Sequence, residues 1–279
     1  MLVKLTDLIS SELDYFRPMI ERDKQSSFEQ RELWRGETIR QRQKRISLEL
    51  FNMLNGTVKY GPFKGLRLTH DPWWGQLDLG SQCLGLYEKE ILKFIEDIED
   101  GQFTNFIDIG AADGYYAVGI LSTGKIQRSI CFEKTDKGRE AIFTNWKKNG
   151  SIGQLVVKAK ANSESIGTLT ETDLKKSLIL IDIEGGEFDL LSPDVVHKFR
   201  HSKILLEVHN WVTDFEEKYK KLLSSLDKFF CIKIIERLDR QVDGYAELRD
   251  FTDDNRLLLV SERRPCLMRF LELTPKSKM

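Results

Sequence analysis

Hydrophobic positions change their rhythm twice along the chain. Up to about residue 55, charged residues alternate with good helix formers around a single proline, Pro18, which predicts an N-terminal helical extension over 1–55. Gly56 to Pro72 is punctuated by Gly and Pro. Alternation in Thr57-Val58-Lys59-Tyr60 and Gly65-Leu66-Arg67-Leu68 predicts a small hairpin there. Leu86, Ile91, Leu92, Phe94, Ile95 and Ile98 share a helical stripe, so a helix is expected near 86–98. Hairpin and helix form a segment, 56–100, that leads into the core and is placed to act as a lid.

From residue 104 the pattern becomes short apolar runs separated by helical segments. The runs are Phe106-Ile107-Asp108-Ile109, Ser129-Ile130-Cys131-Phe132, Gln154-Leu155-Val156-Val157, Leu178-Ile179-Leu180-Ile181 and Lys203-Ile204-Leu205-Leu206. Nearly continuous rather than alternating, they predict strands covered on both faces, as in a parallel sheet. Right-handed crossovers then place helices on both sides. After residue 229 the pattern predicts no more helices. Phe230-Cys231-Ile232-Lys233-Ile234-Ile235 and Leu257-Leu258-Leu259-Val260 read as two strands joined by loop, an antiparallel pair ending the sheet. The expected fold is α/β and Rossmann-like: a mostly parallel seven-stranded sheet with a terminal antiparallel pair, over 101–279.

Charge narrows the partners. Lys+Arg 43 against Asp+Glu 44 gives a net charge of −1, which lends no support to nucleic acid as the main partner. A basic run (Arg31, Arg35, Arg40, Arg42, Lys44, Arg45) reads first as a solvated helix face; a surface for an acidic partner or a membrane head group is the less favoured reading. Cys83, Cys131, Cys231 and Cys266 are scattered, which argues against a zinc knuckle or a disulfide framework. Cys131 and Cys231 read as buried small hydrophobes. Met1 to Ile9 is interrupted by Lys4 and Asp7, and no signal peptide or spanning helix is found. A cytoplasmic protein is the expectation.

The first chemical stretch is Phe106-Ile107-Asp108-Ile109-Gly110-Ala111-Ala112-Asp113-Gly114-Tyr115: a strand, a small-residue turn, and a helix starting near Gly114. Gly110 and Gly114 permit a tight turn and close ligand approach, and the helix start offers free amides to an anion. Asp108 suits a cationic amino group. S-adenosylmethionine carries a carboxylate and an ammonium at its methionine end, whereas Gly-x-x-x-Gly is not the Gly-x-Gly-x-x-Gly spacing of dinucleotide folds. The plainer alternative is a common strand-to-helix turn with Asp113 as N-cap. Glu133 ends the next strand about 20 residues past the turn, where an acid binds ribose hydroxyls. Asn162, after the third strand, is a candidate for the adenine edge.

The second stretch is Ile179-Leu180-Ile181-Asp182-Ile183-Glu184-Gly185-Gly186-Glu187. Asp182 ends a strand beside the first one and is expected near the donor's methyl group. The next strand supplies Glu207 and His209 on one side. Methylating a hydroxyl requires a base or a metal. His209 titrates near neutrality and is the expected base. Asp182, Glu207, His209 and Asn210 present an alternative site for Mg²⁺, disfavoured because His is a poor Mg²⁺ ligand. His209 as a merely hydrogen-bonded strand-end histidine weighs about evenly with the base. Glu184 and Glu187 have a plain reading as acids at a helix start, stronger for Glu187.

Together these stretches resemble the FkbM family of methyltransferases. The resemblance covers about 104–210 and rests on Asp108-Ile109-Gly110-Ala111-Ala112-Asp113-Gly114, Glu133, Asp182-Ile183-Glu184-Gly185-Gly186-Glu187 and the Glu207-x-His209 strand. Ala112-Asp113 departs from the family's usual Asn and small apolar residue. The resemblance implies the class I methyltransferase fold and oxygen methylation of a sugar, glycan or natural-product hydroxyl. The donor would be held by Asp108, Gly110, Ala111, Asp113, Gly114, Tyr115, Glu133, Asn162 and Asp182, with His209 and Asp182 catalytic. Trp73 and Trp74 read first as packing for the N-terminal extension, and otherwise as a lid or a sugar platform. Tyr87 and Glu88 are placed to reach the donor's methionine end. A binding or assembly protein that keeps the fold without turnover is the competing reading. An amine-directed enzyme is disfavoured by the turn Asp182-Ile183-Glu184-Gly185. A homo-oligomer is left open.

Overall fold

The computed structural model describes residues 36–264 and 269–276, and before them positions 6, 7, 9–11, 13, 14, 17, 21, 27, 29, 30 and 33. Those early positions are helical and exposed apart from the non-helical Ser27. Lys4, Pro18, Arg31, Arg35 and Cys266 lie outside the described residues.

Seven strands form one sheet: β1 (Asn105–Ile109), β2 (Arg128–Phe132), β3 (Gln154–Lys158), β4 (Ser177–Ile181), β5 (Lys203–Val208), β6 (Phe230–Ile235) and β7 (Arg269–Pro275), in the order β3-β2-β1-β4-β5-β7-β6. β1 to β5 are parallel, and β7 runs antiparallel to both β5 and β6. Every side chain of β1 and β4 is buried because helices cover both faces of the sheet. Phe106, Leu178, Leu180 and Leu205 point into one core with helices Lys89–Glu96 and Tyr115–Ser122, and Ile107, Ile109, Ile179 and Ile181 into the other with helices Pro193–Phe199 and Phe215–Leu226. This is the expected Rossmann-like architecture, a mostly parallel seven-stranded sheet that ends in an antiparallel pair.

Register positions the site. Ile109 pairs with Phe132 on one side and Ile181 on the other, and Ile181 pairs with Leu206. The strands therefore end level, and Gly110, Glu133, Asp182 and Glu207 emerge along one edge of the sheet. In an open parallel sheet this carboxyl edge is where ligands sit.

Four expectations are corrected. Leu257–Val260 is not a strand: it belongs to helix Asp253–Leu259. Thr252 precedes that helix, Asp253 and Asp254 favour its positive end, and Leu259 packs on Ile46 and Leu50 of helix Ile39–Met53. The true partner strand is β7, inserted between β5 and β6, with Phe270, Leu271 and Leu273 buried. β3 is an edge strand, so Gln154 is exposed and its other residues are only half-buried. Cys231 is exposed because β6 is the opposite edge; Cys83 and Cys131 are buried, and all three are free thiols. The hairpin in 56–72 reduces to one antiparallel bridge, Thr57 with Arg67.

Helix Ile39–Met53 begins with a reciprocal Thr38–Gln41 capping box. Within the basic run, Arg45 pairs with Glu37 at 2.7 Å and Arg42 with Asp254 at 2.6 Å, so part of it is tied to the protein itself. Among the described residues, no helix is long and apolar enough to cross a membrane.

Candidate active site

The loop after β1 is held to its neighbours by backbone. The amides of Gly110 and Ala111 both donate to the carbonyl of Phe132, at 3.0 and 3.1 Å. Gly110 has φ +100°, and a Cβ there would run into the carbonyl of Asp182. That close approach of β1 and β4 requires glycine. Ala112 also stands in the left-handed region, at φ 49°, which Asn tolerates better than Ala. Gly114, φ 85°, is the N-cap of helix Tyr115–Ser122 and offers no side chain. Asp113 instead accepts the Tyr115 amide; burial nonetheless pushes its carboxyl up to about 6.

A cavity of about 430 Å³ opens along this edge. Asp108, Gly110, Ala111, Asp113, Tyr115, Glu133, Asn162 and Asp182 all line it, as do Trp73, Trp74, Tyr87 and Tyr116. Gly114 and His209 are not on its wall. The volume falls in the range that holds a small organic ligand, about 300–1,000 Å³.

Three buried polar atoms of this lining have no hydrogen-bond partner: Asp108 Oδ2, Tyr115 Oη and Asp182 Oδ1. Burial, reinforced by the Asp182 carboxylate, pushes the Asp108 carboxyl up to about 8. Glu133 is buried, with Oε1 accepting from the amide and hydroxyl of Thr135 at 2.8 and 2.7 Å. Asn162 Oδ1 accepts the Ser165 amide at 2.8 Å in a capping box, which leaves its Nδ2 for a ligand.

Behind Asp182 lies His209, 1% exposed. Its Nε2 stands 3.4 Å from Asp182 Oδ1 and 3.6 Å from Glu207 Oε2, so β5 does present Glu207 and His209 on one side. Its Nδ1 and its backbone amide are both held by Glu187 Oε1, at 3.1 and 2.8 Å. Burial alone would lower the imidazole pKa, but Asp182 and Glu187 outweigh it and hold it up at about 9. Glu187 is no ordinary helix-start acid: it is fully buried, and its Oε2 accepts the Gly185 amide at 2.9 Å.

A second set of buried charges was not read from the sequence. Arg264 forms ion pairs with Glu207, with Glu88 at 2.7 Å and with Glu262 at 2.7 Å; Glu262 in turn pairs with Arg240. Glu88, at φ 44°, also accepts the Tyr116 hydroxyl at 2.7 Å, and burial pushes its carboxyl up to about 8. One signal was present: Glu207 sits in an apolar strand, and a buried acid requires a partner.

No family model matches the chain, and no curated protein matches it. Several solved structures are similar to it. The YcgJ protein from Bacillus subtilis is 13% identical over 68% of this chain and 100% of its own, with a TM-score of 0.45. A precorrin-6y C5,15-methyltransferase from Geobacter metallireducens is 13% identical over 70% of this chain and 88% of its own, at 0.43. A fibrillarin pre-rRNA processing protein from Methanococcus jannaschii is 10% identical over 63% of this chain and 68% of its own, at 0.41.

Proposed function

We propose that the chain is an S-adenosylmethionine-dependent methyltransferase acting on a hydroxyl of a sugar, glycan or natural product. One observation carries the reading: Asp108 Oδ2 and Tyr115 Oη are buried without hydrogen-bond partners, and Asp182 Oδ1 has only His209 Nε2 at 3.4 Å, in a single cavity that Glu133 also lines. Buried polar atoms are almost always paired, so such a set calls for a polar ligand. Two acids, Asp108 and Asp182, flank the glycine turn; an ammonium there would favour both as carboxylates, whereas a pyrophosphate would meet the Asp182 charge. Glu133 at the end of β2 stands where an acid meets ribose hydroxyls.

Bound S-adenosylmethionine supplies an electrophilic methyl on sulfur. The residues of the chain would do the rest. Asp108 holds the ammonium, Glu133 the ribose, and Nδ2 of Asn162 is available to the adenine edge. Asp182 lines the cavity and would accept the proton of the acceptor hydroxyl, so that its oxygen could take the methyl group that S-adenosylmethionine would supply. His209 lies off the wall, so its part in that proton transfer runs through Asp182. Trp73 and Trp74, their rings tilted 38° to one another with centroids 5.6 Å apart on the cavity wall, offer an aromatic surface to the acceptor.

Ultraviolet crosslinking of methyl-labelled S-adenosylmethionine, mapped by peptide mass spectrometry, tests the assignment. Label on peptides containing 108–116 or Tyr87 is expected. Label only elsewhere, or none above a denatured control, would remove the donor from this cavity.

A further inference from the structure

One ring nitrogen and three carboxylate oxygens converge where β4 and β5 end. His209 Nε2 lies 3.4 Å from Asp182 Oδ1, 3.6 Å from Glu207 Oε2 and 3.8 Å from Glu184 Oε2. All three separations exceed those of N–H···O hydrogen bonds, about 2.7–3.2 Å. They approach the spacing of ligands around a shared ion. First-row cations sit about 2.0–2.2 Å from nitrogen and oxygen donors, which puts neighbouring donors roughly 3–3.6 Å apart. The ligand atoms of Asp182, Glu207 and His209 all lie within 4.8 Å of one another.

The surroundings of the three are those of a held ligand set. A ligating histidine normally donates its other ring N–H to a carboxylate, and Glu187 Oε1 accepts from Nδ1 at 3.1 Å, fully buried. A carboxylate only accepts, so this bond places a hydrogen on Nδ1 and turns Nε2 toward the cluster, where a bound ion would take the place of a proton. Glu207 uses Oε1 for Arg264 and presents Oε2. Asp182 Oδ1, the oxygen nearest Nε2, is buried and without a hydrogen-bond partner. Charge points the same way. Asp182, Glu184, Glu187 and Glu207 crowd one imidazole, and Arg264 is shared with Glu88 and Glu262.

We infer that Asp182, Glu207 and His209 form a divalent-cation site, with Glu184 at its outer side. One nitrogen among oxygen donors selects a first-row transition ion such as Mn²⁺ over Mg²⁺, which favours oxygen alone. Side chains of His209 and Glu207 are 1% and 2% exposed and close the inner side; those of Asp182 and Glu184 are 30% and 48% exposed and leave the ion open toward the cavity. An acceptor oxygen bound at that open side would lose its proton near neutral pH. The inference deepens the proposed function, on which only this last role rests; the site itself stands on the cluster.

The test is a titration of the full chain with Mn²⁺, without donor, following the loss of the free-ion paramagnetic resonance signal. One saturable ion per chain is expected. Asp182→Asn and His209→Asn should each weaken it by about tenfold or more, with folding checked by near-ultraviolet circular dichroism. Mg²⁺ should displace Mn²⁺ only at much higher concentration. Absence of saturable binding to the wild type, or equal binding by a folded variant, overturns the site; equal competition by Mg²⁺ overturns the choice of ion. The same samples are titrated with S-adenosylhomocysteine. Its binding without Mn²⁺ binding removes the cation and leaves the donor site, and the converse removes the donor and leaves the cation.

Discussion

Glu187 and His209 are joined twice by one oxygen: Glu187 Oε1 accepts the His209 backbone amide at 2.8 Å and its ring Nδ1 at 3.1 Å. The acid comes from the short helix after β4 and the histidine from the end of β5. The pair therefore fixes both the path of the chain and the face of the imidazole turned to Asp182.

Glu187→Gln tests that bond. The amide keeps the shape but not the charge that holds the Nδ1 hydrogen. We expect a loss of about 1–3 kcal/mol in stability and a fall of about 10- to 100-fold in methyl transfer. Urea melts and single-turnover rates measure the two. Transfer at the wild-type rate would show that ring orientation does not matter.

Gly110→Ala tests the close approach of β1 to β4. Its φ of +100° is strained for alanine, and the added methyl meets the Asp182 carbonyl. A destabilisation of about 1–3 kcal/mol is expected, with S-adenosylhomocysteine affinity falling more than at Gly114→Ala. At Gly114 the nearest atoms to a Cβ are side-chain carbons of Ile142, at 3.2 Å. Denaturant melts and calorimetry make the comparison.

Buried acids give the ligand-free protein a pH dependence. Asp108 is held up at about 8, Glu88 at about 8 and Asp113 at about 6, against about 4 when unfolded. The fold binds their protons more tightly than the unfolded chain does. Their stabilisation is complete below about pH 4 and is lost as pH rises through 6 and then 8. The melting temperature should fall between pH 5.5 and about 8.5, and Asp108→Asn, which cannot ionise, should flatten the fall. Identical slopes for both proteins would contradict the placement of Asp108.

Arg264 stands between Glu88, Glu207 and Glu262 with its side chain 15% exposed. Arg264→Ala strands buried carboxylates and should cost about 3–5 kcal/mol. Arg264→Lys should recover only part of this, since an ammonium lacks the planar fork that meets several carboxylates at once. Chemical denaturation of the three proteins decides it.

Much of this was legible in local pattern. β1 and β4 announce themselves because burial on both faces leaves no polar alternation, and their strand-end acids, Asp108 and Asp182, both face the cavity. What was illegible depended on distant partners. Leu257 to Val260 has strand-like content, yet Leu259 packs on helix Ile39–Met53, some 200 residues earlier, and the segment is helical. Glu187 looked like an acid favoured by a helix start because nothing nearby in sequence shows that β5 brings His209 against it. Arg264 bridges Glu88 and Glu207 across separations of 176 and 57 residues, beyond the reach of any spacing rule.

Calorimetric titration of the purified chain with S-adenosylhomocysteine, beside Asp108→Ala, tests the central claim most directly. Binding at about micromolar Kd to the wild type, lost in the folded variant, is the predicted result. A folded wild-type protein that binds neither S-adenosylhomocysteine nor S-adenosylmethionine would contradict the donor site and favour a protein that keeps the fold without turnover.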